Sequence, residues 1–176
     1  ISTNILASMR RGSNREKINS LISKFREKVP GIAIRSTVIV GFPGETKENF
    51  DELCDWIKEI KFDRLGCFKY SHEENTYAFN LKDDVADKEK NRRLDKLMKI
   101  QANISHDKNK LKIGKKFKVC IDRSEGNYYV GRTEHDSPDV DNNVLLEKRK
   151  GYLRLGSFVQ VKITNALTYD LSLIHI

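Results

Sequence analysis

The stretch Arg35–Thr46 reads RSTVIVGFPGET, and it decides the fold class of the first half of the chain. Residues 32–40 are β-branched and largely apolar, which is typical of a buried parallel strand. Two glycines follow the strand, and Thr46 can cap a helix behind them. Glycines at this place let the main chain approach a ligand, on the side where α/β sheets bind ligands. A tight turn without a ligand is the alternative interpretation.

The segments on either side of this stretch predict an α/β fold. A short helix is expected over residues 2–11, and residues 63–70 (DRLGCFKY) are expected to form the next strand. A longer helix with one packed face is predicted from apolar residues at helical spacing, namely Ile18, Leu21, Ile22, Phe25 and Val29. Helices that alternate with strands across short connections indicate a parallel sheet.

The second half of the chain has a different pattern. A long charged helix is predicted from Asp87 to about Leu111, and short strands separated by turns follow over residues 115–171. The strand candidates are KFKVCID, YYVGRTE, NVLLEK and FVQVKIT, a pattern that suggests a small β-barrel of OB-like shape. We therefore predict two domains, 1–111 and 112–176.

Composition narrows the classes of function. The 176 residues carry a net charge of +8, which favours a polyanionic partner such as RNA or, alternatively, only a lysine-rich surface. No apolar run approaches the ~20 residues that span a bilayer. Cys54, Cys67 and Cys120 are too scattered to form a metal motif, so no metal ligand is predicted. They suit a reducing cytoplasm, where small buried side chains are the expected role.

Taken in order, three segments resemble the radical-SAM methylthiotransferases: ISTNILASMRRG, IRSTVIVGFPGET and FDRLGCFKYSHEENTYA. Residues 115–171 resemble the TRAM domain of that family. The resemblance implies the C-terminal part of a radical-SAM (partial TIM-like) barrel, about its last two strands, and then a five-stranded TRAM barrel. It implies S-adenosylmethionine and two 4Fe-4S clusters as cofactors. The six cluster-binding cysteines of the family are absent from this sequence, so we expect this chain alone to be inactive.

The resemblance also suggests which residues bind the cofactor. An arginine near the site would pair with the methionyl carboxylate of S-adenosylmethionine, unless it is a solvated helix end. One of the two strand residues would contact the adenine, and the glycine loop would lie beside the adenosine. The residues expected to bind the cofactor are Arg10, Arg11, Val38, Ile39, Gly41, Phe42, Pro43, Gly44 and Glu45. No residue of this chain is assigned a catalytic role.

Two branches of the family differ in substrate. One modifies an aspartate of small-subunit ribosomal protein twelve, and the other modifies isopentenyl-adenosine of transfer RNA. The segment Gly131–Leu146 is acidic and resembles the first branch; acidic side chains repel RNA and suit a basic ribosomal protein. The residues expected to contact substrate are Tyr70, Ser71, His72, Glu134, Asp136, Asp139 and Asp141. The alternatives are a plain polar loop and an acidic turn without a partner.

Two further alternatives remain open at the level of sequence. Without cluster ligands, the chain can act as a pure binding module for RNA or protein, and ribosomal RNA is a possible second partner because of the positive charge. Residues 172–176 (SLIHI) depart from the usual ending of the family. They are interpreted as a non-native ending or as an extension of the last strand, and His175 is assigned no role.

Overall fold

The computed structural model describes residues 1–138, 140–148, 152–168 and 170–175. The chain forms two compact units, Ile1–Gln101 and Ala102–Ile176. No helix within the described ranges is long and apolar enough to cross a membrane.

The first unit is an α/β arrangement, as the sequence predicts. Its elements are α1 (Thr3–Ser8), α2 (Arg15–Lys28), β1 (Arg35–Val40), α3 (Lys47–Ile60), β2 (Arg64–Lys69), a 3-10 helix (Tyr77–Asn80) and α4 (Asp87–Lys110), whose last residues belong to the second unit. Helix α3 begins at a capping box, in which the Thr46 hydroxyl accepts from the Asn49 amide and the Asn49 side chain accepts from the Thr46 amide.

Helix α3 supplies most of the core of this unit. Six of its residues are buried, namely Phe50, Leu53, Cys54, Trp56, Ile57 and Ile60. Phe62 follows directly and packs edge-on against Trp56, with 5.3 Å between the ring centroids. Apolar residues at helical spacing therefore give α3 one buried side.

Strands β1 and β2 form a two-stranded parallel sheet. Their register runs from Arg35 opposite Arg64 to Val40 opposite Lys69. Because side chains alternate along a strand, Val40 and Leu65 lie on one face, which is buried. Arg35, Thr37 and Ile39 lie on the other face and are exposed, and we call this the open face of the sheet.

The apolar stripe of α2 is less buried than the sequence predicts. Only Ile22 is buried, whereas Leu21, Phe25 and Val29 are 46–52% exposed. The stripe lines a groove that runs along β1, so it is amphipathic without being fully covered by the described residues. Periodicity identifies the apolar side of a helix, but it cannot say how much of that side is covered.

The second unit contains a closed five-stranded barrel in the order β3-β4-β5-β7-β6. The strands are β3 (Lys116–Glu125), β4 (Tyr128–Thr133), β5 (Val144–Glu147), β6 (Phe158–Ala166) and β7 (Leu171–His175). The first four match the predicted strand candidates. The fifth was missing from those candidates, and it lies in the segment interpreted as an unusual ending.

Strand β7 closes the barrel. It pairs with β6 in the antiparallel sense and with β5 in the parallel sense, whereas the other neighbouring strands all run antiparallel. The interior is filled by side chains that alternate inward along the strands, namely Val119, Ile121, Tyr129, Val144, Leu146, Val161, Ile163, Ala166 and Leu171. The described side chains therefore give the barrel a packed apolar core.

Candidate functional site

The loop that follows β1 is built around a β-turn. The Glu45 amide donates to the Phe42 carbonyl at 2.9 Å, and Gly44 between them has φ +79°. Pro43 at the second position and a positive φ at the third are the features of a type II turn. The sequence Phe-Pro-Gly-Glu therefore sets the shape of this loop, which we call the glycine loop (residues 41–45).

The side chain of Glu45 forms a hydrogen bond within the glycine loop. This side chain is only 6% exposed, and its carboxylate accepts from the Gly41 amide at 3.1 Å. The other carboxylate oxygen accepts from Arg93 of α4 at 2.7 Å. Both oxygens of Glu45 are thus engaged inside the protein, although the sequence suggested it as a residue beside the cofactor.

The main-chain amides of the glycine loop are also largely engaged. The Gly44 amide donates to the Asp84 carboxylate at 2.8 Å, and the amides of Gly41 and Glu45 are bonded as described above. Phe42 and Pro43 are buried, and Phe42 packs edge-on against Tyr70 with 5.1 Å between the ring centroids. Gly44 is the exposed residue of the loop, so it has the most accessible surface for a ligand.

Gly41 is held against α4. Its φ is +72°, and a Cβ atom at this position would lie 2.4 Å from Cγ of Lys90. Lys90 is itself only 2% exposed, and its Nζ atom donates to Asp83 at 2.7 Å. The first glycine of the motif is therefore required both by its backbone conformation and by the close approach of a lysine stem.

The two strand residues suggested for adenine contact, Val38 and Ile39, lie on opposite faces of the sheet. Ile39 lies on the open face and is 39% exposed, whereas Val38 lies on the opposite face and is half-buried. Phe68 is the register partner of Ile39 on β2, and it is 63% exposed. Sequence reasoning missed Phe68, because its proximity to Ile39 follows from the register of the two strands.

Arg10 and Arg11 terminate α1 in a Schellman motif. The Arg10 amide donates to Ala7 and the Arg11 amide donates to Leu6, while Arg10 has φ +55°. The Arg10 guanidinium lies 3.7 Å from the centroid of the Tyr77 ring, which is a cation–π contact. The two arginines therefore differ in surroundings: Arg10 covers an aromatic ring, and Arg11 lines the groove beside β1.

The groove beside β1 has a volume of about 490 Å³. It is lined by α1, α2, β1 and α3, including Ile5, Ile22, Ser36 and Asn49, and by Glu45 of the glycine loop. A mostly apolar concavity of this size with a few polar groups is the usual form of a ligand pocket.

The residues after β2 form a hydrogen-bonded cluster. The Tyr70 hydroxyl donates to the Ala78 carbonyl at 3.2 Å and lies 3.1 Å from Nδ1 of His72. Tyr70 is 9% exposed, and burial raises the pKa of its hydroxyl. The His72 ring stacks on Phe79 with 4.6 Å between centroids. Ser71 is exposed and donates to Glu73 at 2.5 Å. Tyr70 therefore holds this loop in shape, and Ser71 and His72 are the exposed members.

The acidic residues after β4 differ in exposure and in hydrogen bonding. Asp136 is 8% exposed and accepts from the Thr133 hydroxyl at 2.5 Å. Asp141 accepts from the Ser137 amide at 2.7 Å, so both aspartates order the turn after β4. The side chain of Glu134 is 84% exposed. Asp139 lies outside the described residues.

The chemistry of the available donors does not fit an iron–sulfur cluster. Within the described residues, no three His, Cys, Asp or Glu side chains come together as a metal site. Cys54 is buried, and burial raises the pKa of the Cys67 thiol to about 12. A cluster is held by several thiolates together, and the described cysteines form no such group.

The open face of the sheet suits an adenosine-type ligand better than it suits an iron–sulfur cluster. Ile39 and Phe68 offer adjacent exposed apolar surface at the carboxyl ends of two parallel strands. Aromatic and aliphatic side chains at this end of a parallel sheet are suited to contact a purine ring.

Comparison with known proteins shows which family this chain belongs to. The family model of the TRAM domain matches residues 113–173. The chain is 54% identical over 171 residues, 97% of its length, to the protein named ribosomal protein uS12 methylthiotransferase RimO of Christiangramia forsetii, and it covers 38% of that relative. Identity to the proteins of the same name is 53% in Flavobacterium johnsoniae and 48% in Bacteroides thetaiotaomicron; each match covers 97% of this chain and 39% of the relative.

The chain combines an α/β unit with a closed five-stranded barrel that matches the TRAM domain, so it belongs to the class of TRAM-containing α/β proteins. Its sequence belongs to the family of the ribosomal protein uS12 methylthiotransferases. The chain spans about two fifths of the length of these relatives.

Proposed function

We propose that this chain is the C-terminal part of a radical-SAM methylthiotransferase that adds a methylthio group to the β-carbon of an aspartate in ribosomal protein uS12. The observation that carries the proposal is the 54% identity over 97% of the chain to a relative named for that activity. In this proposal the α/β unit is the C-terminal part of a larger radical-SAM barrel, with a domain boundary near Lys112. The remaining strands and the two 4Fe-4S clusters belong to the rest of the protein.

The open face would line the S-adenosylmethionine pocket. Ile39 is the preferred adenine contact because Val38 lies on the other face, and Phe68 extends the same apolar surface. Gly44 would approach the adenosine with its exposed main chain. When bound, the cofactor supplies radical chemistry; the residues of this chain bind and orient it and exclude water.

Arg11 is the better partner for the methionyl carboxylate of the cofactor. It lines the groove beside β1, whereas the Arg10 guanidinium is stacked on Tyr77. A guanidinium and a carboxylate form a strong, charge-assisted pair. Arg11→Gln is expected to weaken binding of S-adenosylmethionine more than Arg10→Gln, and equilibrium dialysis with the complete protein measures this. Equal effects of the two substitutions would contradict the assignment.

Substrate contact is proposed at two places. Ser71 and His72 are exposed at the carboxyl end of β2, next to the proposed cofactor face. Glu134 is exposed in the turn after β4, where a carboxylate complements a basic ribosomal protein. Asp136 and Asp141 would support this turn through their hydrogen bonds, and the role of Asp139 remains a proposal from the sequence alone.

The experiment begins with the coding DNA upstream of Ile1. A CxxxCxxC motif in frame, with three further cysteines before it, is expected. The complete protein, reconstituted with its clusters, is then incubated with uS12 and S-adenosylmethionine. Mass spectrometry of the digested uS12 should show one aspartyl peptide heavier by a methylthio group. A start codon close to Ile1 with no such cysteines after it, or unmodified uS12 with a fully reconstituted enzyme, would refute the proposal.

A second candidate function, binding of ribosomal RNA, is favoured by the outer face of β3 and β6. Lys116 lies opposite Lys162, and Lys118 lies 4.7 Å from the centroid of the Phe158 ring, which is 63% exposed. Like charges in register destabilise a sheet, whereas phosphate groups would compensate them, and an exposed ring can stack on a base.

Salt dependence of RNA binding separates this second function from non-specific attraction. Replacing Lys118 and Lys162 by Gln should reduce the slope of log affinity against log salt by about 0.7 per lost phosphate contact for a single strand. Phe158→Ala should weaken binding without changing that slope. Lys88→Gln, an exposed lysine at the start of α4, is the matched control. An equal effect of Lys88→Gln on RNA binding would show that general positive charge is its cause.

A further inference from the structure

Helix α4 contacts the glycine loop through buried charged side chains. Lys90 is 2% exposed and Arg93 is 5% exposed, although both belong to a helix rich in exposed charge. Lysine and arginine are rarely buried unless they are paired. Lys90 is paired with Asp83, and Arg93 is paired with Glu45 of the loop and with Glu89 one turn earlier. Both burials occur where α4 meets the loop.

Arg93 makes two contacts to the same loop residue. One guanidinium nitrogen, Nη1, donates to the Glu45 carboxylate at 2.7 Å and to the Glu45 main-chain carbonyl at 2.9 Å. The second carboxylate oxygen of Glu45 accepts from the Gly41 amide at 3.1 Å. A chain of hydrogen bonds therefore runs from α4 through Glu45 to the first residue of the glycine loop.

We propose that Arg93 is a positioning residue for the glycine loop, and that Glu45 is the strut through which it acts rather than a residue that touches the cofactor. The inference rests on the proposed function, in which this loop lies beside S-adenosylmethionine. The resemblance to the methylthiotransferases suggested that Glu45 lies beside the cofactor. The geometry assigns its carboxylate to Arg93 and Gly41 instead.

A role in positioning explains why a buried ion pair occurs here. The cost of desolvating two charges usually offsets the attraction between them, so a buried pair adds little stability compared with apolar side chains. It does fix one geometry, because a guanidinium between a carboxylate and a carbonyl has defined directions. A binding loop benefits from such a fixed geometry, since misplacement by about 1 Å can cost about a hundredfold in rate.

The same helix offers a matched control. Lys96, three residues after Arg93, is paired with Asp51 at 2.7 Å, but both side chains are more than 40% exposed. Arg93→Met and Lys96→Met each remove one charge from α4. Arg93→Met removes the ion pairs with Glu45 and Glu89, Lys96→Met removes the pair with Asp51, and only the first breaks the link to the glycine loop. A general effect of charge or of helix stability would therefore appear in both variants.

The first measurement is amide hydrogen exchange in this chain. Arg93→Met should accelerate exchange of the Gly41 amide by about tenfold or more, because a loosened loop opens locally, and Lys96→Met should not. If the single variant fails to fold, Arg93→Met combined with Glu45→Gln removes the unpaired buried carboxylate and keeps the test available. Unchanged exchange at Gly41 in a folded Arg93 variant would overturn the proposal.

The second measurement is the dissociation constant of S-adenosylmethionine for the complete, cluster-loaded protein, by equilibrium dialysis at a temperature where every variant is folded. Arg93→Met should raise this constant about tenfold or more, Arg93→Lys should recover part of the loss, and Lys96→Met should match the wild type. A lowered Tm with an unchanged dissociation constant would show a merely structural role and overturn the proposal.

The two measurements separate this inference from the proposed function. If the wild-type protein does not bind S-adenosylmethionine but Arg93→Met accelerates exchange at Gly41, Arg93 does hold the glycine loop through Glu45 and the proposed function fails. If the wild type binds the cofactor and neither exchange nor affinity responds to Arg93, the proposed function stands and the positioning role fails.

Discussion

Gly41→Ala should destabilise the first unit more than the same substitution at Gly44. Both glycines have positive φ, +72° and +79°, so each alanine costs about 1–2 kcal/mol in backbone strain. A Cβ at Gly44 meets nothing within 4 Å, whereas at Gly41 it would lie 2.4–3.3 Å from three carbons of Lys90. Overpacking of this kind adds about 1–3 kcal/mol. We therefore expect about 2–5 kcal/mol at Gly41 and about 1–2 kcal/mol at Gly44.

Lys90 cannot easily move away from the added methyl group. The contacting atoms are Cβ, Cγ and Cδ, the stem of the side chain, and the Nζ atom is held by Asp83 at 2.7 Å. Lys90→Ala removes Cγ and Cδ, so it should relieve part of the clash. In a double-mutant cycle, Gly41→Ala and Lys90→Ala together should cost about 1–2 kcal/mol less than the sum of the two single changes.

The assay is urea unfolding followed by tryptophan fluorescence. Trp56 is the single tryptophan of the chain, it is 4% exposed, and its indole donates to Asn19 at 2.7 Å, so its emission reports on the first unit. With a slope of ~1–3 kcal/mol per molar urea, the expected difference between the two alanine variants moves the midpoint measurably. Equal losses at Gly41 and Gly44, or strict additivity with Lys90→Ala, would refute the reasoning.

Three further outcomes follow from local geometry. Lys61 ends α3 with φ +53°, so Lys61→Gly should raise the free energy of unfolding by about 0.5–1 kcal/mol in the same urea assay, and a loss would show that its side chain matters more than its backbone. Hydrogen bonds from Arg92 and Arg93 lower the pKa of Glu89 from 4.5 to about 2, so the stability it adds is present above pH 4.5 and lost as pH falls towards 2. The difference in unfolding free energy between the wild type and Glu89→Gln should shrink over that range, and a difference that is constant with pH would contradict this. In the complete protein of the proposed function, Glu134→Lys should weaken uS12 binding more than Glu134→Gln does in a titration at low salt, and equal affinities would exclude an electrostatic role.

Local patterns predicted the elements of this fold well. Thr46 as a helix cap and the β-branched run of β1 are each encoded within about ten residues, so local patterns find them. Strand β7 was missed as a candidate because Leu171–His175 is short and its pairing with β5 and β6 is set by distant parts of the chain. The 3-10 helix over Tyr77–Asn80 has no counterpart among the predicted elements, since a single such turn has no periodic signature.

The candidate site was less predictable for the same reason. The sequence located the glycine loop, but it could not show that Glu45 faces inward, because Arg93 lies 48 residues away. It could not choose between Val38 and Ile39, since the choice depends on which face of the sheet is covered. Phe68 stood in a predicted strand with no feature of its own, and only the register with Ile39 brings it to the site.

The topology of the barrel has a consequence for biosynthesis. Because β7 is hydrogen-bonded to both β5 and β6, the ring of strands stays incomplete until residues 171–175 have left the ribosomal exit tunnel. Strands β1 and β2 need no later strand to pair with each other, so their sheet can form while the barrel is still being translated. A nascent chain in which β3 to β6 have emerged without β7 would have unpaired edges at β5 and β6, and such edges are templates for pairing with another chain.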